Sequence, residues 1–533
     1  MKSKLLKAAD VAGLTFLMPV IRLCYGDEPH RQLKEIFRMI VVPAIAIVVF
    51  LGLWSLVASR ISTRSGQLPG PTRTADAAES IWRFHERETA KGDAYELSSE
   101  EIPAALSAAK DQLATLEKYD DKIDAIVTKQ MRGRDAARSK AAAPVQKELA
   151  ELRQRNAAEA ADRVRKLTAF GASLEPNDAA GREQLLEMTA AHEAAKEAGR
   201  ESVRELNGRV NDLLGIDSPG YEAALSLQTA VAEEKQFLNK LIDSLEGGRA
   251  TQLEGYESKL TDQVAAYESA TGEAVFPAAR AVARTQGQIE TVAASQYAKP
   301  YTLPMQILRS VLCVFVGFLL GVAIAIPIGV LCGLSPTFMS AMTPFIALFK
   351  PVSPIVWLPI ALIVTGSFIP DPDNHWLTNT LAEMPVIGWM KINPAFIASA
   401  STVALCSLWA TMTNTALGVA SISEDHLNVA RVLKLGFWER LTKIVIPSAL
   451  PLIFAGMRIS LGVGWMVLIA AELLASSEGI GKFVWDQFNN GASDSFAKMV
   501  VVVFVVGAIG LLLDRIMIVL QRAVSFDGAP AAV

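Results

Sequence analysis

The chain has 533 residues, of which 51% are apolar, and its formal net charge is −4. This length allows several domains, the apolar share favours a membrane protein, and the small net charge argues against nucleic-acid binding. The four cysteines lie outside the charged region of residues 59–298, so helix packing and not disulfides must stabilise that region.

Six apolar runs are long enough to cross a bilayer, because about 20 apolar residues span a hydrocarbon core of roughly 30 Å. They cover residues 37–58, 307–333, 341–366, 395–422, 452–475 and 497–524. The first run is too long and too far from the N-terminus for a cleaved signal, so we expect it to be retained. Before it, residues 1–36 carry a shorter apolar stretch, residues 11–24, which favours an interfacial helix over the alternative of a re-entrant one.

Basic residues predict the orientation in the membrane. Lysines and arginines from Lys2 to Arg38 precede the first span, which favours a cytoplasmic N-terminus. Six spans then return the tail, residues 525–533, to the same side. The same count puts residues 424–446 in the cytoplasm and residues 59–300 outside. We therefore expect a multi-pass protein of a bacterial inner membrane with a periplasmic insertion.

The insertion, residues 59–300, has the composition and periodicity of long helices. Predicted helices cover residues 99–132, 135–170, 177–214, 220–245, 250–271 and 277–297. Leu113, Leu116 and Ile123 recur at helical spacing, which indicates helical hairpins or a coiled coil. Two interpretations remain open, a solvated stalk and a partner-binding arm, whereas the regular periodicity disfavours disorder.

Residues 424–451 place a charged amphipathic helix between two apolar runs. Its apolar side comprises Leu427, Val429, Val432, Leu433 and Leu435, and its charged side Asp425, Arg431, Lys434 and Glu439. Such a helix can sit in a groove of a partner protein, and Pro447 would pass its movement to the fifth span. The alternative is a plain helix lying on the inner membrane surface.

Ordered motifs between residues 306 and 523 resemble the permease subunits of type I ABC importers, in the nitrate/sulfonate/bicarbonate/taurine branch and most of all the nitrate type. They are KPVSPIVWLPIAL (350–362), LNVARVLKL (427–435), IPSALPLIFAGMRISLGVGWMVLIAAELL (446–474), GIGKFVWDQFN (479–489) and GLLLDR (510–515). The resemblance implies an all-α, six-span permease core, with five helices in residues 301–524. The predicted helical insertion between spans 1 and 2 is a departure, because it has no counterpart in that family. Two further departures are the absence of the coupling Glu and Gly, with Asn428 and Lys434 at those positions, and Cys313 where an Arg is usual.

The resemblance also implies partners and a mechanism. The chain would form a dimer, expected to be a homodimer, in membrane lipid, and pair with ABC ATPase subunits that hold ATP and Mg. An extracytoplasmic binding protein would deliver a small anion, and the permease would carry it across the membrane by alternating access. The chain itself would hold no cofactor. Residues expected to couple to the ATPase are Asp425, Leu427, Asn428, Ala430, Arg431, Lys434, Gly436 and Pro447.

Four residues are candidates for the translocation pathway: Trp357, Arg458, Trp465 and Glu472. An ionisable side chain in an apolar run costs about 2.5–3.5 kcal/mol on insertion scales, so such residues are hypotheses for function. The alternatives are that Arg458 reaches the interface and that the tryptophans are core residues. We expect Asp514 and Arg515 to form an interfacial anchor.

Catalytic and metal-binding motifs are not evident. No nucleotide-binding Gly-x-x-x-x-Gly-Lys-Ser/Thr sequence occurs, and His375 reads as a solvated loop residue. The chain is therefore expected to be a transport subunit and not an enzyme. A different class of function also fits the long insertion, namely a membrane-anchored helical scaffold or sensor of the cell envelope built on a permease fold.

Overall fold

The structure, a computed structural model, describes most of the chain. It covers residues 18–26, 28–63, 66–175, 178–215, 218–372, 375–382, 392–425, 428, 432–475, 477–491 and 493–524. The chain divides into two compact units. The first, Met1–Glu88 with Lys299–Val533, is the membrane unit, and the second, Thr89–Ala298, is the helical unit.

Helices, numbered here along the chain, make up nearly all of the described structure. They are α1 Met18–Cys24, α2 Pro29–Ile36, α3 Val42–Arg60, α4 Pro71–Glu96, α5 Ile102–Glu117, α6 Asp120–Ala172, α7 Ala179–Leu214, α8 Pro219–Glu246, α9 Arg249–Ser269, α10 Val275–Ala293, α11 Leu303–Leu334, α12 Pro336–Phe349, α13 Pro354–Phe368, α14 Trp376–Ala382, α15 Pro394–Ala420, α16 Phe437–Arg440, α17 Ile446–Ala475, α18 Ile480–Asn490 and α19 Ser493–Val524. One antiparallel pair of two-residue strands, β1 Ser62–Thr63 and β2 Gly66–Gln67, follows α3. The predicted all-α membrane fold is confirmed.

Five helical stretches within the described residues are long and apolar enough to cross a membrane. They are Pro29–Ala58, Leu303–Leu334, Pro394–Ala420, Phe437–Ala475 and Asp494–Arg522. The first and the fourth begin earlier than predicted, because the π-helical turns Phe37–Val41 and Leu441–Val445 continue the preceding helices into the spans. Pro447 does not end the fourth stretch, since it lies directly after the π-helical turn Leu441–Val445, and such local irregular turns let a membrane helix accommodate the missing N–H of a proline.

The third predicted span, residues 341–366, is not one straight helix. It is a bent pair, Pro336–Phe349 and Pro354–Phe368, with an angle of 98° between the two helices. Pro351 and Pro354 stand at the break, and proline disfavours helical backbone in the residue before it. Composition reveals an apolar run of sufficient length, but it does not reveal this bend.

The core of the membrane unit is built around α15. Small residues of α11 let it approach α15 closely, and a Cβ on Gly317, Gly329 or Gly333 would meet α15 atoms at less than 3.0 Å. On its other side α15 is tied to α17, where Ser460 Oγ lies 2.8 Å from Thr411 Oγ1. The first span has no buried residue along its apolar window, and Trp54 joins it to α19 by ring contact with Phe504 at 5.5 Å.

The helical unit consists of long helices paired as antiparallel hairpins. The first half of α6 pairs with α8, where Lys235 bonds Asp120 and Arg134 lies over the ring of Tyr221. Its second half pairs with α7 through a core of Val145, Leu149, Leu206 and Val210. At 53 residues, α6 is about 80 Å long at 1.5 Å per residue.

Helix boundaries in the helical unit differ from the prediction at two places. A helix break predicted at residues 133–134 is wrong: α6 continues through Gly133 and Pro144, and the break falls at residues 118–119. Glycine lowers helix stability by only about 1 kcal/mol, which the packing of α6 against α7 and α8 offsets. Helix α4 was not predicted, although it begins with Pro71 at the favoured first position.

Candidate functional site

The segment between α15 and α17 holds most of the residues predicted to couple to an ATPase. Leu427, Ala430 and Arg431 lie outside the described residues. Asp425 and Asn428 have helical backbone, and with Val432 and Leu433 they line an open cleft of about 390 Å³. The cleft combines a carboxylate and an amide with apolar side chains, as a docking surface does.

This segment is not the continuous helix that was predicted for residues 424–446. Lys434 has a left-handed backbone with φ of 49°, which ends the helix, and Gly436 then precedes α16. The Gly436 N–H donates to Glu439 Oε2 at 3.4 Å, and Glu439 pairs with Lys443 at 3.1 Å. A π-helical turn then joins α16 to α17, so α16 continues directly into the span.

Four large apolar side chains project from this segment: Val432, Leu433, Phe437 and Trp438, here called the Val432–Trp438 surface. Val432 is 81% exposed and Trp438 is 72% exposed. Such a concentration of exposed apolar side chains beside charged ones marks a protein interaction site or a membrane contact. Pro447 is the second residue of α17, next to the π-helical turn that joins α16 to α17.

At the other end of α17, Glu472 is the centre of a buried polar network. Its side chain is only 2% exposed, and Ser310 Oγ of α11 donates to its carboxylate at 2.6 Å. The Gly481 N–H donates to Glu472 Oε2 at 3.0 Å, and the Ile480 N–H donates to Ser310 Oγ at 3.0 Å. Glu472 and Ser310 therefore bind the N-terminus of α18, where backbone N–H groups have no partner within the helix.

Glycines next to Glu472 make this contact possible. A Cβ on Gly479 would overlap the Glu472 carboxylate, and a Cβ on Gly481 would overlap the backbone of α17. Glycine at positions 479 and 481 therefore leaves the room that α18 needs to lie this close to Glu472. We call this contact between α11, α17 and α18 the Glu472 joint. Glu472 was predicted as a pathway candidate that faces either the bundle interior or the pathway, and the structure buries its side chain inside the bundle.

A second buried group, one residue before Ser310, is Arg309. It is 1% exposed and donates to Glu478 Oε2 at 3.5 Å, Asn393 Oδ1 at 3.2 Å and Tyr301 OH at 3.3 Å. Asn393 Oδ1 also accepts from the Phe396 N–H at 2.9 Å, which caps α15. Arg309 thus links α11, the start of α15 and the loop before α18.

Sequence reasoning missed Arg309, although a signal was present. Arg309 is the only Lys, Arg, Asp or Glu in α11, and a single charge in an apolar run indicates a specific partner. The loop before α11 carries two further polar groups. Burial raises the pKa of the Tyr301 phenol, so the hydroxyl stays protonated. His85 Nδ1 lies 2.7 Å from Thr302 Oγ1, and burial together with Lys299 lowers the pKa of His85.

The remaining candidates fall in different places. Arg458 forms a bidentate ion pair with Asp514 of α19, with Nε–Oδ1 at 2.5 Å and Nη2–Oδ2 at 3.1 Å. Asp514, predicted as an interfacial anchor, is therefore the partner of Arg458. Trp465 is a core residue whose indole N–H donates to Val506 O at 3.1 Å. Trp357 lies at the break of the bent pair, with its ring 5.8 Å from that of Phe349.

Comparison with known proteins identifies the protein family of the membrane unit. Residues 325–526 match the family described as binding-protein-dependent transport system inner membrane component. The nitrate import permease protein NrtB of Synechococcus elongatus is 34% identical over 223 residues, which cover 42% of this chain and 70% of that protein.

Two further relatives have other transport functions. The bicarbonate transport system permease protein CmpB of Synechococcus elongatus is 34% identical over 219 residues, covering 41% of this chain and 68% of that protein. The taurine transport system permease protein TauC of Escherichia coli is 30% identical over 234 residues, covering 44% and 74%. All three are permease subunits, in agreement with a transport subunit that is not itself an enzyme. The chain therefore belongs to the inner membrane components of binding-protein-dependent transport systems, as an integral membrane permease of the nitrate/bicarbonate/sulfonate-type ABC importers.

Proposed function

We propose that this chain carries a small anion across the inner membrane by alternating access, driven by separate ATPase subunits that dock on the Val432–Trp438 surface. The observation that carries the proposal is the exposure of four apolar side chains directly before a membrane span. Apolar side chains next to Asp425 suit a groove on a partner protein. ATP and Mg would be held by that partner, and this chain would bind no cofactor.

Helix α17 would transmit the movement of the docked ATPase. From Phe437 to Ala475 the helical stretch is 39 residues long, or about 58 Å. It begins at the Val432–Trp438 surface and ends near Glu472, whose contacts bind α18 and α11. Closure of two ATPase subunits around ATP would move this stretch as a rigid body and carry α18 with it.

The relatives suggest the substrate class. Nitrate, bicarbonate and taurine, named for those permeases, share a compact group of oxygen atoms on one central atom. We therefore propose a small oxyanion, delivered by an extracytoplasmic binding protein. Under this proposal both termini and the Val432–Trp438 surface are cytoplasmic, whereas the helical unit is periplasmic.

A second copy of the chain would complete the pathway. Apolar side chains on one face of α13 and α17 are uncovered in the single chain: Ile355, Ile360, Ile363, Ile459 and Met466. A homodimer contact on this face would shield part of this apolar area, and lipid would cover the rest. The Glu472 joint lies on the buried side of α17 and needs no partner subunit.

ATPase coupling gives the test of this function. The complex of the chain with its ATPase would be purified, and binding and substrate-stimulated ATP hydrolysis compared for the wild type and for Val432→Asp with Leu433→Asp. Two charges in an apolar contact should weaken docking by at least about tenfold. The matched control is Leu186→Asp, which charges a side chain that is 72% exposed in the helical unit. Unchanged docking and hydrolysis in the double variant would show that the ATPase binds elsewhere.

The helical unit favours a second candidate function, a scaffold or sensor of the cell envelope. The unit has its own apolar cores, and α6 alone reaches about 80 Å. Uptake by cells separates the two candidates. A scaffold predicts the same anion uptake with and without the chain, whereas a permease predicts loss of ATP-dependent uptake when the chain is absent.

A further inference from the structure

Two indole N–H groups in the membrane unit are shielded from solvent and have no hydrogen-bond acceptor in the described part of the chain: those of Trp357 and Trp409. Three other tryptophans differ from them. Trp54, Trp82 and Trp465 donate to Pro69 O, Glu86 Oε1 and Val506 O at distances between 2.7 and 3.2 Å. Because nearly all buried donors in proteins are paired, two orphaned N–H groups call for a specific explanation.

The two tryptophans belong to one aromatic cluster. The ring of Phe349 stacks on Trp409 at 6.3 Å with an interplanar angle of 11°, and it lies 5.8 Å from the ring of Trp357 at 41°. The cluster joins the end of α12, the first turn of α13 and the middle of α15. Both tryptophans that carry the orphaned donors therefore contact Phe349, the last residue before the break.

This break is the place where a pathway is expected. Helices α12 and α13 have 14 and 15 residues, about 21 and 22 Å, so neither alone crosses a core of roughly 30 Å. Secondary transporters bind their cargo where membrane helices are broken, and irregular backbone at membrane depth is tolerated where it is buried in protein or lines a cavity. Lys350 follows Phe349 directly, is exposed, and forms no ion pair with any described residue.

We propose that Trp357 and Trp409, with Lys350 beside them, form a subsite that hydrogen-bonds a small oxyanion during its passage. This subsite rests on the proposed function, because it assumes that the cargo is an anion. It adds the place in the membrane unit where that anion is held. Indole N–H groups only donate, so they recognise acceptor oxygens and offer nothing to a cation. Neutral donors suit transit, because binding must be strong enough for entry and weak enough for release.

The arrangement also predicts what each group contributes. The two N–H groups supply directional hydrogen bonds to oxygen atoms, and they keep their positions because their rings are packed against Phe349. Lys350 supplies charge at the break and attracts the anion, since an exposed ammonium group acts over several ångströms. Loss of a donor should therefore impair turnover and affinity together, whereas loss of the charge should impair mainly affinity.

The test uses the complex of the full chain and its ATPase in proteoliposomes that are supplied with the extracytoplasmic binding protein, with nitrate as the probe. Trp357→Phe and Trp409→Phe each remove an N–H but keep an aromatic ring. Each should reduce kcat/KM for nitrate uptake by about tenfold or more, the effect of losing one hydrogen bond to a charged acceptor. Lys350→Gln, at an exposed position, should raise KM several-fold and leave kcat nearly unchanged.

Two controls separate recognition from structure. Trp465→Phe removes an indole N–H that is already paired with Val506 O, so it should lower thermal stability while KM for nitrate stays unchanged. Binding of the ATPase should be retained in all of these variants, because none lies in the Val432–Trp438 surface.

The outcomes distinguish failure of the subsite from failure of the proposed function. If Trp357→Phe, Trp409→Phe and Lys350→Gln all take up nitrate with the same kcat and KM as the wild type, the proposed subsite is wrong while the proposed function stands. A wild-type complex that couples to its ATPase but moves neither nitrate nor bicarbonate nor taurine would overturn the anion function, and the subsite with it.

Discussion

Removal of one hydroxyl group, in Ser310→Ala, tests the Glu472 joint. Ser310 Oγ donates to Glu472 and accepts from the Ile480 N–H, and all three groups are buried. The substitution hardly changes side-chain volume. It removes a hydrogen bond worth about 1 kcal/mol and leaves a buried N–H unpaired at a cost of about 1–3 kcal/mol. The expected loss of stability is about 3 kcal/mol, or a lowering of Tm on the order of 5 °C.

A thermal melt in detergent measures this loss, with a thiol-reactive dye reporting exposure of the buried Cys313 and Cys332 above the constant signal of the exposed Cys24. The matched control is Ser399→Ala on α15, because the Ser399 hydroxyl is also fully buried but has no hydrogen-bond partner among the described residues. Its removal should leave Tm unchanged or slightly raised. Equal shifts for Ser310→Ala and Ser399→Ala would refute the role assigned to the Ser310 hydroxyl.

Three further predictions concern other contacts. Gly479→Ala should disrupt the Glu472 joint and lower Tm by several degrees, whereas Gly462→Ala, where a Cβ meets nothing, should be neutral in the same melt. Arg458→Ala and Asp514→Ala should each lower the free energy of unfolding by about 1–3 kcal/mol, and the double variant should lower it by less than the sum of the two. Strictly additive losses in this double-mutant cycle would contradict the Arg458–Asp514 ion pair. Because the pKa of His85 is lowered below its usual 6.5, the unfolded chain takes up a proton more readily. Stability should therefore fall as pH drops below about 6.5, and His85→Gln should flatten that pH dependence.

Properties that depend on local composition could be predicted from the sequence. Run length identified the membrane spans, since a bilayer of fixed thickness demands a fixed number of apolar residues. Val432 and Leu433 were predicted on the apolar side of a helix because their spacing is local, whereas Phe437 and Trp438 were not predicted to join them. The same reasoning missed the 98° bend at residues 350–353, although Pro351 and Pro354 stand there, because proline also occurs in straight membrane helices.

Properties that depend on distant partners could not be predicted. Arg309 and Glu478 are 169 positions apart, and Arg458 and Asp514 are 56 apart, so no local pattern joins them. In the sequence, each of these four side chains is a single charge whose partner cannot be identified. Trp409 resembled any core aromatic, and only its unpaired N–H beside Phe349 sets it apart.

The central claim is that this chain moves an anion when an ATPase acts on the Val432–Trp438 surface. The most direct measurement is ATP-dependent accumulation of nitrate in proteoliposomes that contain the chain and its ATPase and are supplied with the binding protein, with bicarbonate and taurine as further probes. Accumulation should require ATP and should be lost in Val432→Asp with Leu433→Asp, while Leu186→Asp retains it. Equal accumulation with and without ATP, or full transport by the double variant, would contradict the claim.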